Sequence, residues 1–351
     1  MTWLTQLARP DIVALKAYEH AVWDPELERL HANELPWRSH ADESAAGLNR
    51  YPEPQPRALV ERLASLYGVS PKSVLVGRGS DEAIDLLVRS FCRAGQDSII
   101  ICPPTFGMYS VSARIQGAEV ITVPLQAEAG FTLDTKAVLE QCTPDVKLVF
   151  LCSPNNPTGN LLSEDAVISL TRALEGRALV VVDEAYIEFS GAQSLARKIG
   201  EFPHLAILRT LSKAYALAGA RCGALIADPE VVSLLRKVIP PYAIAQLSME
   251  AVLRVLDPAQ LAISNARVAT IVSERDRIQA IFAKLPNVTR VWPSDSNFIL
   301  VEFADVPLAL ARSRGARLLI RDVRGYPGLG RCLRITVGAT EQNNRLLEAF
   351  Q

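Results

Sequence analysis

Short, mainly apolar runs recur along the first two thirds of the chain, at 74–77, 98–102, 119–123, 147–151, 179–182 and 205–208. Each is too short for a helix and lacks a regular polar alternation, which predicts strands buried on both faces. Between several of them the spacing changes. Leu59, Leu63 and Leu66 fall on one face of a helix over 57–67, and Ile84, Leu87, Val88 and Phe91 repeat that spacing after the first strand. Strands alternating with helices predict an α/β fold: a mostly parallel sheet covered by helices.

From about residue 250 the texture differs. A long helical stretch is expected from roughly 246 to 284, then strands at 298–303, 318–322 and 332–337, and a last helix from about 340. This is the pattern of a smaller α+β domain. Near the start, Pro, Trp and charged residues interrupt short apolar pieces, and Leu48-Asn-Arg-Tyr-Pro-Glu-Pro-Gln-Pro56 is too proline-rich for a helix. The expected organisation is an N-terminal arm at 1–48 that partly joins the small domain, a large domain at 49–250 and a small C-terminal domain at 251–351. A length of 351 residues suits two domains better than one core.

Composition narrows the function classes. The net charge is -1, which gives no electrostatic reason to expect nucleic acid or an anionic membrane as partner. No basic-plus-apolar leader and no bilayer-length apolar run is visible. Six cysteines are scattered without metal-type or CxxC spacing. They read as reduced, mostly buried residues of a cytoplasmic protein, with no metal site.

In parallel sheets, ligands sit beyond the carboxyl ends of the strands, so the residues there carry the candidate chemistry. After 74–77 comes Arg-Gly-Ser80-Asp81-Glu, where Gly79 and Ser80 suit a turn and N-cap. Free N–H groups of the following helix would cradle a phosphate. After 98–102 comes Pro103-Pro-Thr-Phe-Gly-Met-Tyr109, whose Phe106 or Tyr109 can stack on a ring or simply fill the core. After 147–151 comes Ser153-Pro-Asn-Asn-Pro-Thr-Gly159. Pro157 pushes Asn156 towards extended backbone, and its amide can donate to a phenolate.

After 179–182 comes Asp183-Glu-Ala-Tyr186. A carboxylate ending a buried strand needs a partner. It is either a helix N-cap or the acceptor of a pyridinium N–H, with Tyr186 as a second phenolate donor. After 205–208 comes Arg209-Thr-Leu-Ser-Lys213-Ala-Tyr-Ala-Leu-Ala-Gly-Ala-Arg221-Cys-Gly223. Lys213 lies in a small, apolar run, where desolvation favours the neutral amine that condenses with an aldehyde. Taken alone it reads more readily as a lysine snorkelling from a half-buried helix, and the other strand-end motifs reverse that. Ser212 beside it, and Arg221 at a spacing of two helical turns, suit a phosphate. Together these pieces outline a pyridoxal 5'-phosphate (PLP) site.

In these motifs, and in Asn49-Arg-Tyr-Pro-Glu-Pro54 and Cys332-Leu-Arg-Ile-Thr-Val-Gly338, the chain resembles fold-type I PLP aminotransferases. Within them it is most similar to the histidinol-phosphate aminotransferases. The resemblance covers nearly the whole chain. It implies that Lys213 holds PLP covalently and then shuttles the proton. Asp183 would pair with the ring nitrogen, Asn156 and Tyr186 would bond the phenolate, and Phe106 would stack on the ring. Ser80, Asp81, Ser212 and Arg221 would hold the phosphate, joined by Tyr51 from the other subunit of a homodimer. Arg334 would bind the anionic end of both substrates, with Tyr18 and Arg321 assisting at the substrate phosphate and Asn156 also near the substrate.

The family commonly carries tyrosine where Phe106 stands. The implied reaction is transamination of L-histidinol phosphate with 2-oxoglutarate. An aromatic amino-acid aminotransferase and a threonine-phosphate decarboxylase share the scaffold and stay open. A PLP-binding regulator would need a DNA-binding module, and no basic recognition segment is visible. An idle scaffold is at odds with the retention of every cofactor-facing residue type.

Overall fold

A computed structural model describes residues 2–20, 24 and 26–351. Seven strands form the larger sheet: β1 (Val74–Gly77), β2 (Ser98–Ile101), β3 (Glu119–Thr122), β4 (Val146–Cys152), β5 (Leu179–Asp183), β6 (Leu205–Thr210) and β7 (Gly223–Ile226). Their order is β1-β7-β6-β5-β4-β2-β3. Only β7 runs antiparallel to its neighbours, pairing with β1 and β6. The other adjacent pairs are parallel.

Strand side chains alternate between two apolar layers, as the two-residue period requires. Leu148, Phe150, Leu179, Val181 and Leu208 pack into one. Val149, Leu151, Val180, Val182 and Ile207 pack into the other. The central strands are therefore buried on both faces, as their apolar runs predict. β3 departs from that expectation: it is an edge strand with both ends exposed.

Among the described residues, twelve α-helices accompany the sheets. They are α1 (Trp3–Leu7), α2 (Pro10–Ala14), α3 (Arg57–Tyr67), α4 (Ser80–Phe91), α5 (Met108–Gln116), α6 (Thr135–Gln141), α7 (Glu164–Ala173), α8 (Pro229–Leu235), α9 (Gln246–Val255), α10 (Pro258–Phe282), α11 (Val306–Gly315) and α12 (Thr340–Phe350). Helices α4, α5 and α8 supply one layer, with Leu4 and Leu7 of α1 against it. Residues 2–14 are tied there by polar contacts: Thr2 Oγ1 donates to Glu230, and Lys237 Nζ donates to the Val13 carbonyl at 2.7 Å. Helices α6 and α7 supply the opposite layer.

The expected single helix from 246 to 284 is two. The first stops at Val255 with Leu256 as its C-cap, and Asp257 caps the second, accepting from Ala259 N at 3.0 Å, with Pro258 at the first helical position. Asp-Pro is a helix start signal, and it resets the chain direction. The second sheet has the order β10-β11-β9-β8, all antiparallel, with β8 (Val288–Trp292), β9 (Phe298–Phe303), β10 (Arg321–Asp322) and β11 (Cys332–Thr336). Ile278 and Phe282 of α10, Leu346 and Phe350 of α12 and the inner face of β9 and β11 share its core. The strand expected at 318–322 shrinks to Arg321 and Asp322, because Arg317 takes a left-handed backbone with φ of 57° and turns the chain just before.

Candidate active site

The strand ends β1, β4, β5 and β6 converge on a cavity of about 160 Å³. Gly79, Ser80, Asp81, Phe106, Cys152, Asn156, Asp183, Tyr186, Thr210, Ser212, Lys213 and Arg221 are among the residues that line it. Nine residues singled out as cofactor contacts in the sequence are thus brought together: Ser80, Asp81, Phe106, Asn156, Asp183, Tyr186, Ser212, Lys213 and Arg221.

At one end stands the N-terminus of α4. Gly79 is its N-cap, with φ of +88°, and no side chain caps the first turn. The N–H groups there are left for a ligand, and the helix dipole favours an anion. Arg221 borders this turn. Its Nη2 lies 3.3 Å from Asp81 Oδ2. It does not sit on a helix after Lys213, as its spacing suggested. Residues 211–217 form turns, a short 3-10 segment follows at Ala218–Ala220, and Arg221 itself has a left-handed backbone with φ of 52°.

Gly223 starts β7 directly beneath the cradle. A Cβ there would lie 2.8 Å from Gly79 C, Ser80 N and the Arg209 carbonyl oxygen, so only glycine allows this backbone approach.

In the middle, Asp183 ends β5 and is 2% exposed. Its Oδ2 accepts from the Tyr109 hydroxyl at 2.8 Å, and its Oδ1 accepts from Ala185 N at 3.1 Å. Among the described residues it makes no ion pair. Burial raises its pKa from 3.8 to about 6, and these two hydrogen bonds oppose the rise. The N-cap reading of Asp183 fails, since a 3-10 turn at Ile187–Phe189, not an α-helix, follows.

At the far edge, Asn156 Nδ2 donates to the Tyr186 hydroxyl at 3.3 Å, and Asn156 Oδ1 accepts from Arg334 Nη1. Asn155, which sequence reasoning passed over, is the first asparagine of that string and has a structural role. It is 1% exposed, donates to the Pro104 carbonyl at 2.8 Å and accepts from Thr105 Oγ1 at 3.0 Å. It thereby ties the loop before Phe106 to the loop carrying Asn156.

Lys213 Nζ lies 5.7 Å from the centroid of the Tyr186 ring. The open cavity gives solvent access to this side chain. Surrounding protein nonetheless desolvates the amine, and the Arg334 charge adds to that, so its pKa falls below the usual lysine range.

Arg334 of β11 stands opposite Arg321 of β10 in the antiparallel register, which puts both side chains on one face of the small sheet. The Arg334 guanidinium is 5.1 Å from the Phe298 ring centroid, and its Nε is buried with no hydrogen-bond partner among the described residues. Arg321 is exposed.

Four expected site residues, Arg334, Arg321, Tyr51 and Tyr18, are not among those lining this cavity, and among the described residues Arg334 alone of these touches a lining residue, Asn156. Tyr51 stacks on Tyr242 at 4.6 Å, and Tyr18 reaches the same aromatic group through His20. Sequence reasoning also missed Cys152 and Thr210 as lining residues and the hydrogen bond of Tyr109. The first two sit at strand ends, where position alone could have flagged them. Tyr109 carried no such signal.

The residues fit PLP on structural grounds. A buried carboxylate without countercharge suits a ring N–H⁺. An amide and a phenol side by side suit an anionic ring oxygen. An uncapped helix N-terminus with a guanidinium beside it suits a phosphate, and an amine of lowered pKa suits an aldehyde.

The family model for aminotransferase class I and II matches residues 29–350. The chain is 47% identical to the histidinol-phosphate aminotransferase of Stenotrophomonas maltophilia (strain R551-3), over 98% of this chain and 95% of that protein. It is 44% identical to the enzyme of that description from Xanthomonas euvesicatoria pv. vesicatoria (strain 85-10), over 99% and 97%. Among solved structures, the histidinol-phosphate aminotransferase of Sinorhizobium meliloti in complex with pyridoxal-5'-phosphate superposes with a TM-score of 0.77 at 25% identity, covering 86% of this chain and 82% of that one. The L-threonine-O-3-phosphate decarboxylase of Porphyromonas gingivalis, at 24% identity, shares the fold with a TM-score of 0.72, covering 86% and 92%.

Proposed function

The chain belongs to the class I and II aminotransferases, and we propose that it transfers the amino group of L-histidinol phosphate to 2-oxoglutarate, giving imidazole-acetol phosphate and L-glutamate. The observation that carries this reading is the pair of arginines in register on the small sheet, Arg334 and Arg321, one reaching Asn156 at the cavity and one open to solvent. Histidinol phosphate has no carboxylate, so its phosphate must supply the anion. A dianion can engage two guanidinium groups where a carboxylate needs one. Extended identity to enzymes named for this substrate supports the same choice.

PLP is the cofactor, and when bound it supplies an electron sink for the substrate carbon. The remaining work falls to side chains. Asp183 holds the ring nitrogen protonated. Asn156 and Tyr186 would donate to the ring oxygen, and Phe106 would cover the ring. The first turn of α4, at Ser80 and Asp81, holds the phosphate together with Ser212 and Arg221. Lys213 anchors the cofactor through Nζ. The Lys213 amine would also move the proton at the substrate carbon, an exchange its lowered pKa favours. Arg334 binds the anionic end of either substrate, and Arg321 with Tyr18 reads the phosphate. The working form is a homodimer in which Tyr51 completes the partner's phosphate site.

The test is to mix the PLP-loaded enzyme separately with histidinol phosphate, glutamate, phenylalanine and threonine phosphate, following the cofactor spectrum in single turnovers. Histidinol phosphate and glutamate should react fastest. Arg334→Ala should slow both, whereas Arg321→Ala should slow histidinol phosphate at least tenfold more than glutamate, the worth of about one charged hydrogen bond. Preference for phenylalanine would promote an aromatic-aminotransferase reading. Carbon dioxide released from threonine phosphate would promote the decarboxylase.

A further inference from the structure

Tyr109 lies on α5, with no exposed surface, and its ring stacks on Phe150 at 4.9 Å and 12°. It also meets Phe106 edge to face at 5.6 Å, so one residue touches both the ring-covering side chain and the ring-nitrogen anchor. A buried phenol usually finds a partner. Here the partner is Asp183 Oδ2, at 2.8 Å. The Cys152 thiol lies beside the same hydroxyl, and Cys152 pairs with Asp183 across β4 and β5.

We infer that Tyr109 is a positioning residue for the cofactor's ring nitrogen: its hydroxyl fixes Asp183 in orientation and holds it in the ionised form that a pyridinium needs. This rests on the PLP reading of the cavity.

Among the described residues, Asp183 accepts from only one other donor, the Ala185 backbone N–H. The groups that face it are Asp81 from α4, Lys213 from the loop after β6, Cys152 from β4, Tyr186 from its own loop and Tyr109 from α5. Of these, Lys213 alone can carry a positive charge, and its surroundings hold its pKa below the usual lysine range. Deleting the Tyr109 hydroxyl therefore leaves a carboxylate with one donor in a desolvated site. Its proton affinity rises from a value already lifted towards neutrality. A neutral carboxylic acid no longer favours a protonated ring nitrogen.

The ring plays no part in that chemistry, which makes Tyr109→Phe the discriminating change. It keeps the volume and the stacking on Phe150. The experiment titrates apoprotein with PLP and with 1-deaza-PLP, which has carbon in place of the ring nitrogen, following fluorescence from pH 6 to 9. Wild type should bind PLP far more tightly than the deaza analogue. Tyr109→Phe should lose roughly 10-fold to 100-fold in PLP affinity, the range for a hydrogen bond to a charged group. It should lose less than about twofold for the analogue, and the PLP loss should be larger at pH 6 than at pH 9.

In an Asp183→Asn background, Tyr109→Phe should cost PLP binding nothing further. Equal losses for both ligands, an undiminished PLP affinity, or a full additional loss in the Asp183→Asn background would each overturn the inference and leave Tyr109 as packing. A wild-type protein that binds neither ligand would instead overturn the PLP reading on which the inference stands.

Discussion

Asp183 is a residue whose folded environment works against its own charge. Burial lifts its carboxyl from 3.8 to about 6 in the cofactor-free protein. The sign follows from linkage. The folded state binds the proton more tightly than the unfolded one, so the ionised carboxylate carries no cost below about pH 4. The cost grows as pH rises through 6 and is constant above. At roughly 1.4 kcal/mol per pH unit the ceiling is about 3 kcal/mol. Asp183→Asn should therefore raise the melting temperature of the apoprotein at pH 7 and leave it unchanged at pH 3.5. The same change should cut turnover of the loaded enzyme by two orders of magnitude or more, because an amide cannot stabilise a charged ring nitrogen. Melting curves of the apoprotein at the two pH values, with turnover at saturating PLP, check both halves. An apoprotein destabilised at pH 7 would mean that Asp183 serves the fold. Residues of this kind were legible in the sequence because a polar side chain directly after an apolar run stands out. Tyr109 was not. Its partner is 74 positions away, and only the side of the sheet on which α5 packs brings them together.

At the scale of elements, the strands with continuous apolar runs were the legible ones, since burial on both faces removes polar positions altogether. β7 was hidden. Its four residues, Gly223 to Ile226, follow the lysine loop without a turn signal, and its antiparallel direction is set by its neighbours. Helical spacing after Lys213 misled for a physical reason. Small residues permit a helix, but the left-handed backbone at Ala216 and Arg221 breaks it, and that is what turns Arg221 back to α4. β7 supports the same cradle through Gly223. A methyl group there meets three backbone atoms at 2.8 Å, none of which can rotate away. Gly223→Ala should cost roughly 1–3 kcal/mol of stability, as overpacking does. It should lower affinity for PLP more than for pyridoxal, which lacks the phosphate. Gly219→Ala, in the same loop with nothing within 4 Å of the added carbon, should leave both unchanged. Thermal melts and the two titrations check this. A Gly223→Ala protein with undiminished preference for the phosphorylated ligand would separate β7 from the phosphate site.

At the scale of the whole molecule, several large apolar side chains between 27 and 51 stand exposed to solvent among the described residues. Leu30 is 94% exposed, Trp37 77% and Leu35 70%, with Leu27, Leu48 and Tyr51 close in sequence. This stretch is not loosely held. Glu34 pairs with Arg50 at 2.9 Å and accepts from Tyr51 N at 2.6 Å, and Glu250 of α9 accepts from Ala45 N and Ala46 N at 3.2 Å. Polar groups tie the backbone down while the large apolar side chains face solvent, which is how a protein presents a surface for association. Tyr51, half exposed, stacks on Tyr242 outside its own cavity. A second copy of the chain, related by a two-fold axis, would cover these side chains and bring each Tyr51 to the other's phosphate cradle. Subunit mixing tests this directly. Lys213→Ala removes the amine that anchors cofactor and moves the proton, so that homodimer should be inactive. Tyr51→Phe should lose about 10-fold to 100-fold in PLP affinity, the worth of one hydrogen bond to a charged acceptor, and so be weakly active at limiting PLP. In a mixed dimer, the site with an intact Lys213 receives an intact Tyr51 from its partner, while the other site carries both changes. Activity at limiting PLP should then rise several-fold when the two variants are unfolded and refolded together, relative to the sum of the two refolded apart. If Tyr51 served its own chain, the intact Lys213 would still face Phe at position 51, and mixing would restore nothing. A monomeric active enzyme in sedimentation would remove the two-fold arrangement altogether.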